Sequence, residues 1–208
     1  MAVSSLTNFT VPLSTQASAS SQGLLMPKLK FRFRVTFLNF GVTQPTTELT
    51  KQVMDFKRPS VSFDPIEIPI YNSKVYLAGK PTWETVSCTL RDDAGGEVSK
   101  RVGEQMQKQY DFFEQSSAAS GIDYKFTTVL EILDGGNGTN VPSILETWEM
   151  YGCYLITTDY GDNNYATNDP VTVALTIRYD NALQTPRGSG IGAQVTRTLG
   201  LPARAITG

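Results

Sequence analysis

The chain has 208 residues, of which 40% are hydrophobic and 18% charged, with 18 Lys and Arg against 20 Asp and Glu. Residues 31–180 hold all 20 acids and 13 of the bases, a net charge of −7, which argues against the clustered Lys and Arg of a duplex-binding groove. Because there is no histidine, a Ser-His-Asp triad, a Cys-His pair and a zinc site that needs imidazole are excluded.

The two ends of the chain differ from its middle. The start, MAVSSLTNFTVPL, has no basic residue and no continuous apolar run, which argues against a signal peptide. No segment approaches the length of apolar sequence that spans a membrane, so we expect no membrane contact and folding in the cytoplasm. We expect residues 1–27 to be an N-terminal arm that orders only against a partner, 28–183 to form one β domain, and 184–208 to be a C-terminal extension.

The first part of the domain predicts strands with one buried face. Phe31, Phe33, Val35 and Phe37 alternate with polar residues, which predicts a first core strand and favours core positions over a base-stacking platform for the aromatics. A polar loop over 41–50 and a second strand over 51–57 follow.

Residues 59–93, here called the organising stretch, predict several strands joined by tight turns. Every Pro and Gly in this stretch falls between candidate strands or at an edge. Short strands are expected over 60–63, 66–70, 74–77 and 82–91, with turns at 71–73 and 78–81. In the last of these strands, alternation places Val86, Cys88 and Leu90 on one face and Thr85, Ser87 and Thr89 on the other.

One helix is predicted, over 97–116, with acids at its start that suit the positive end of the helix dipole. Its apolar stripe is Val98, Val102, Met106, Tyr110 and Phe113. Alternating strands are then predicted over 124–132, 143–158 and 171–179. The residues assigned to one face of the first and last of these are Tyr124, Phe126, Thr128, Leu130 and Ile132, and Val171, Val173, Leu175, Ile177 and Tyr179. In the long strand, Trp148, Met150, Tyr154 and Ile156 are assigned to one face, and Gly152 predicts a bulge or bend.

No motif predicts a catalytic residue, a metal site or a cofactor. Asp92 and Asp93 favour a helix start over a pair of acid–base carboxylates, because adjacent residues at the end of a strand point apart. Residues 159–164 lack the ligand spacing of a calcium loop, and 188–192 lack the strand and helix of a dinucleotide loop. Cys88 and Cys153 fall inside strands and are expected to stay reduced as small hydrophobic residues.

About seven or eight strands, one helix and short connections predict a mainly β fold, an antiparallel sandwich or barrel with one flanking helix. Five local features follow one another along the chain. They are the start MPKLKFRFRVTFLNF, the stretch IPIYNSKVYLAGKPTWETVSCTLRDD, a helix with an aromatic end, a long strand through Trp148 and Gly152, and the closing strand VTVALTIRYDNA. In this order of features, over residues 28–182, the chain resembles the tail tube protein of contractile-tailed bacteriophages. That family is in turn similar to the haemolysin-coregulated tube protein of type VI secretion.

The resemblance implies hexameric rings whose inner strands join into one barrel, and rings that stack into a hollow tube. A contractile sheath would surround the tube, with baseplate and tail-terminator proteins at its ends, in a virion tail assembled in the host cytoplasm. DNA would pass through the lumen without specific binding, because an acidic, hydroxyl-rich wall repels phosphates. Closure of the barrel across subunits would remove exposed strand edges.

Two groups of residues follow as candidates from this resemblance. The arm before Lys28 and the turn region Tyr71, Asn72, Ser73, Lys74 and Lys80 are candidates for contact between rings. Thr85, Ser87 and Thr89 on one strand, and Lys125, Thr127 and Glu131 on another, are candidates for the lumen or the exterior. A solvated strand face explains either group equally well.

Two alternatives remain open from the sequence. One is a related tube protein of a secretion system or of the baseplate end. The other is a carbohydrate- or single-strand-binding β module, suggested by nine Tyr and two Trp. An exposed aromatic row would favour the module, and aromatics in the core would favour the tube.

Overall fold

The computed structural model describes residues 27–43, 46–134, 142–166, 168–185 and 190–191. The chain divides into two compact units, residues 1–32 and 33–208. The described part of the first unit is a turn in which the Arg32 N–H donates to the Leu29 carbonyl (3.3 Å). The Arg32 guanidinium lies over the Phe31 ring, 5.4 Å from its centroid.

The described part of the second unit contains eleven strands and three helices. In chain order they are β1 (Phe33–Leu38), α1 (Thr47–Gln52), β2 (Val53–Phe56), β3 (Val61–Ile70), β4 (Ser73–Trp83), β5 (Val86–Arg91), α2 (Glu97–Gln109), β6 (Tyr110–Asp111), β7 (Ser116–Ser117), α3 (Gly121–Tyr124), β8 (Phe126–Leu133), β9 (Ile144–Asp159), β10 (Thr172–Arg178) and β11 (Asn181–Thr185).

One seven-stranded sheet forms the body, in the order β1-β8-β9-β10-β5-β2, with β11 also paired to β9. All of its pairs are antiparallel. The remaining strands form two separate hairpins, β3–β4 and β6–β7. The predicted mainly β, antiparallel fold is therefore confirmed, with three helices in the described residues where one flanking helix was predicted.

Strand β9 belongs to both halves of this sheet. Its first part pairs with β8 and β11, and its second part pairs with β10. The bend predicted at Gly152 is present: this residue has a φ of 68°, and the register with β8 shifts beside it. The extra residue reverses the alternation, so Cys153 and Leu155 are buried and Ile156 is half exposed. The prediction that Tyr154 and Ile156 continue the buried face of Met150 was wrong for this reason.

The core lies between the sheet and the helices, and alternation predicted most of it. Buried side chains assigned to the inner face from the sequence are Val35, Phe37, Val86, Cys88, Leu90, Phe126, Leu130, Ile132, Val173, Leu175, Ile177 and Tyr179. Rings of Phe37, Phe40 and Phe126 contact one another within it. The prediction failed just outside the strands: Phe31 is 73% exposed in the turn before β1, and Val171 is half exposed before β10.

Two helix predictions needed correction. Residues 47–52 form the helix α1, where a polar loop and the start of a strand were predicted. Leu49, an apolar residue in a polar stretch of sequence, is fully buried from this helix. Helix α2 ends at Gln109, not at 116, because the chain turns back into the β6–β7 hairpin. Val98 and Val102 are buried as expected, whereas Tyr110 and Phe113 leave the stripe and are exposed. The short elements α3 and β11 were not predicted.

In the organising stretch, two long strands replace the several short ones. The turn at Tyr71 and Asn72 is confirmed, and Tyr71 takes a φ of 44°. The second predicted turn was wrong, because residues 78–81 continue β4 through a register shift opposite Asp64. Gly79 is required there, since a Cβ would lie 2.4 Å from the Asp64 carbonyl oxygen.

Candidate assembly surfaces

The β3–β4 hairpin has one apolar face, which is exposed. Ile66 and Ile68 lie opposite Leu77 and Val75 in the antiparallel register, and Ile70 follows at the tip. These five side chains, here called the apolar hairpin face, are each 40–51% exposed. Such a contiguous apolar patch on a soluble protein marks a contact surface more often than a solvated one.

The opposite face of the hairpin carries one ion pair among Pro65, Pro69, Tyr76 and Ala78. Lys74 Nζ lies 2.6 Å from Glu67 Oε1, and Tyr76 pairs across from Glu67. At the root, the Trp83 ring contacts the Tyr179 ring at 5.6 Å, which joins the hairpin to the core. Beyond the root, the described strands of the hairpin pair only with each other. The hairpin is therefore an amphipathic ribbon attached to the body at one end.

The structure brings the turn residues predicted for ring contact onto this one hairpin, whereas residues 1–26 of the arm that was also predicted for ring contact lie outside the described part of the chain. Tyr71 and Asn72 form its tip, Ser73 and Lys74 begin β4, and Lys80 lies at the register shift, all of them exposed. Their role stays a prediction. The apolar hairpin face itself was missed, although the spacing of Ile66, Ile68 and Ile70 is the period-two signal that would have found it.

The two sets of polar-face candidates lie on different parts of the sheet. Ser87 and Thr89 are on β5, and Ser87 stands in register with Thr176 of β10, which in turn pairs with Thr157 of β9. Thr85 precedes β5 and is partly buried. This part of the sheet surface is rich in small hydroxyl side chains.

Thr127 and Glu131 lie on β8, where Glu131 accepts a hydrogen bond from Arg34 Nε at 2.6 Å. That hydrogen bond raises the pKa of Arg34. Lys125 lies before β8, at the bend of β9, where its Nζ is 2.6 Å from Asp180 Oδ2. The hydrogen bond to Asp180 raises the pKa of Lys125. Both basic side chains remain charged and paired at neutral pH.

Side chains occupy part of the strand edges that the sheet leaves open. The Gln109 amide donates to the Leu155 carbonyl (3.0 Å) and accepts from the Leu155 N–H (2.8 Å), so it replaces a neighbouring strand on β9. The Thr46 hydroxyl donates to the Phe37 carbonyl of β1. Among the described residues, β1, β2 and β11 each have one strand neighbour, which leaves edges that another chain can pair with.

A second exposed apolar feature follows α2. Tyr110, Phe112 and Phe113 project from the β6–β7 hairpin, and Phe113 is 95% exposed. Asp111 Oδ1 accepts the backbone N–H groups of Phe113 (2.9 Å) and Glu114 (3.2 Å) and fixes the turn. The hydrogen bonds from Glu114 and Phe113 lower the pKa of Asp111.

Beside this turn lies a groove of about 600 Å³ between the end of α2 and the second part of β9, here called the α2–β9 groove. It is lined by Gln109, Tyr110, residues 117–121, Tyr124, Tyr154, Leu155 and Ile156. The rings of Tyr124 and Tyr154 contact each other edge to face, 6.4 Å apart. No local pattern in the sequence indicates this groove, because its two walls lie thirty or more positions apart in the chain.

Reactive groups are few on the described surface. Cys88 and Cys153 are free and buried, and burial raises their thiol pKa to about 12 and about 11. Within the ranges that the structure describes, no group of three or more His, Cys, Asp or Glu could hold a metal ion. No helix in those ranges is long and apolar enough to cross a membrane.

Comparison with known proteins gives a match in structure alone. No protein-family model and no curated protein matches the sequence. A chain from the anti-feeding prophage baseplate aligns with a TM-score of 0.57 and 14% identity, over 83% of this chain and 100% of that one. This protein therefore has the same fold as that baseplate chain.

Two further matches come from an extracellular contractile injection system called PVC. A chain from its sheath/tube terminator aligns with a TM-score of 0.56 and 12% identity, over 78% of this chain and 99% of that one. A chain from its sheath–tube complex aligns with a TM-score of 0.53 and 14% identity, over 81% and 97%. The resemblance to contractile-tail and injection-tube proteins stated from the sequence is thus confirmed for the fold.

Proposed function

We propose that this protein is the structural subunit of a tube of the contractile-tail type, assembling as stacked hexameric rings. The observation that carries the proposal is the apolar hairpin face, which the described part of the chain leaves exposed. Burying apolar surface contributes about 25 cal/mol per Å², so a ribbon with such a face is stabilised by contact with another molecule. In the proposed ring, that molecule is a second copy of the same chain.

The open strand edges support the same proposal. A ring of copies that pairs one copy's edge strand with its neighbour's would continue the sheet around the ring and remove unpaired backbone groups. Rings follow when a head-to-tail contact closes after a rotation, and stacks follow when the ring faces also fit each other. The arm before residue 28 and the hairpin tip with Lys80 are the proposed ring-to-ring contacts.

The finer function proposed is that of a bacteriophage tail tube, through which DNA leaves the virion for the host. The hydroxyl-rich surface around Ser87 and Thr176, or the surface of β8 with Thr127 and Glu131, would line the lumen. The acidic body of the chain supports passage of DNA, because it would repel phosphates rather than hold them. A sheath outside and baseplate and terminator proteins at the ends complete the proposed partners, and no catalytic step is part of this role.

A tube protein of a secretion system or of the baseplate end has the same structural basis and remains the second candidate. The carbohydrate- or single-strand-binding module is less well supported. Exposed aromatic side chains are present at Tyr110, Phe112 and Phe113, whereas the rings of Phe37, Phe40, Phe126 and Trp148 are buried in the core, which favours the tube.

Negative-stain electron microscopy of the purified protein across a concentration series tests the proposal. Hollow rings or stacked tubes that appear as concentration rises are the expected result. A monodisperse monomer at every concentration would overturn the tube function. Glycan and oligonucleotide binding screens would then test the binding module.

A further inference from the structure

The apolar hairpin face must meet a surface of matching size and character. A chain that assembles head to tail carries both partners of the contact, so the receiving surface belongs to the same molecule. Besides the hairpin, the most prominent exposed apolar cluster among the described residues surrounds the α2–β9 groove. It comprises Tyr110, Phe112, Phe113, Ile122 and Ile156, of which Tyr110 and Ile156 also line the groove.

The shape of this region suits a projecting ribbon. The groove is an open surface depression of about 600 Å³, large enough to receive apolar side chains from a second molecule. Its rim is fixed before contact: Asp111 holds the turn, and Gln107 Nε2 donates to Asp111 Oδ1 at 2.8 Å. A surface held in place in this way loses little conformational entropy on binding.

Charge is complementary between the two surfaces. Residues 110–124 contain the acids Asp111, Glu114 and Asp123 and no base, so the rim of the groove is negative. The hairpin strands carry two acids and two bases, Asp64, Glu67, Lys74 and Lys80. Lys74 pairs with Glu67, so Lys80, exposed at the register shift opposite Asp64, is the base available to the acidic rim. The negative rim also argues against a lipid surface as occupant, since anionic headgroups would be repelled.

We propose that the α2–β9 groove of one copy receives the apolar hairpin face of a second copy. The contact rests on the proposed self-assembly and specifies its receiving site. The Ile and Val side chains of the ribbon lie against Ile156 and the aromatic rim, and Lys80 lies against Glu114 and its neighbours. Each copy uses its hairpin on one neighbour and its groove on another.

Disulfide cross-linking between two separately purified variants tests this contact. Ile68→Cys and Ile156→Cys are mixed under assembly conditions and oxidised mildly, so that a dimer band reports a contact between different copies. The buried native cysteines, with their raised pKa, do not compete. The matched control replaces Ile156→Cys by Val171→Cys, an equally exposed position away from the groove.

A dimer band with Ile156→Cys at least fivefold stronger than with Val171→Cys is expected. Rings seen by electron microscopy in the same sample with no preferential band would overturn the receiving site and leave the tube function standing. A sample without rings and without the band would overturn both. Binding of the monomer to phosphatidylcholine vesicles that is lost in Phe113→Ala would assign the aromatic rim to a lipid surface and overturn the contact.

A charge exchange provides an independent measurement. Lys80→Glu and Glu114→Lys should each raise the concentration needed for assembly, by about two- to fivefold, because exposed ion pairs are individually weak. Combining both substitutions in one chain should restore assembly towards the wild-type concentration. Additive losses in the double variant would show that the two side chains do not meet.

Discussion

Gly152 has no room for a side chain. Its φ of 68° is unfavourable for other residues, and a Cβ there would lie 2.1 Å from Asp180 Oδ2. Gly152→Ala should therefore lower the free energy of unfolding by about 2–4 kcal/mol through backbone strain and displacement of Asp180 from Lys125. Urea denaturation followed by circular dichroism measures it.

Gly103 provides the control for this substitution. It lies inside α2 with nothing within 4 Å of an added Cβ. Gly103→Ala should stabilise the protein by about 0.5–1 kcal/mol, because alanine has the higher helix propensity. Equal stability of the Gly152→Ala protein and the wild type would show that the bend does not depend on this glycine.

At the scale of elements, Glu104 fastens α2 to the turn after β1. Its carboxylate accepts the N–H groups of Val42 (3.1 Å) and Thr43 (3.0 Å) and the Thr43 hydroxyl (2.8 Å). The hydrogen bonds from Thr43 are the main cause of the lowered pKa of Glu104. A carboxyl whose pKa is lower in the folded state binds protons more readily when unfolded, so its contribution is present above the ordinary pKa and lost as pH falls through the folded value.

Glu104→Gln should consequently be less stable than the wild type at pH 7, by no more than about 1 kcal/mol because the site is near solvent. The difference should shrink as pH falls below the ordinary pKa of a glutamate and through the lowered pKa of the folded protein, where the wild-type carboxyl becomes protonated. Urea midpoints of both proteins at pH 7, 5 and 3 measure this. Asp111, whose pKa is also lowered, is common to both proteins and cancels in the comparison. A constant difference across the three pH values would contradict the role assigned to Glu104.

Sequence pattern predicted the elements that have one buried face and missed those that do not. Strands β1, β5, β8 and β10 alternate because the core covers one side of each. The hairpin strands β3 and β4 have no covered side, so their prolines were taken as breaks although edge strands tolerate them. The end of α2 depends on the Asp111 turn, which a helical stripe does not reveal.

The candidate surfaces also differ in whether the sequence could predict them. The hairpin tip was predicted, because a compact polar turn is a local signal. The α2–β9 groove was not predicted, because it forms only when residues near 120 and near 155 meet in the fold. Phe113 on its rim was predicted to lie on the buried stripe of the helix and is instead 95% exposed.

At the scale of the whole molecule, we expect that one surface substitution can abolish ring assembly without lowering the stability of the folded chain. The apolar hairpin face lies outside the core, so Ile68→Asp should leave Tm within about 2 °C of the wild type. The same substitution should abolish rings, because it places a charge in the proposed contact. Differential scanning calorimetry and negative-stain microscopy on the same sample measure the two effects.

Val171→Asp is the control for this prediction. Val171 is as exposed as Ile70, at 50%, but lies outside the hairpin and the groove. Its substitution should change neither Tm nor ring formation. Rings in the Ile68→Asp protein would show that the apolar hairpin face is not needed for assembly.

The strand order of the sheet also governs when the chain can fold. β1, β2 and β5 are complete by Arg91, yet β8 and β10, which pair with β1 and β5, come from Phe126–Leu133 and Thr172–Arg178. During synthesis at about 5–20 residues per second, β5 waits several seconds for its central neighbour, and its exposed edge is prone to aggregation in that interval. Such long-range pairing is intrinsically slow. The pairing of β5 with β10 therefore follows synthesis of nearly the whole sheet, and a chain cut before residue 172 leaves β5 with β2 alone.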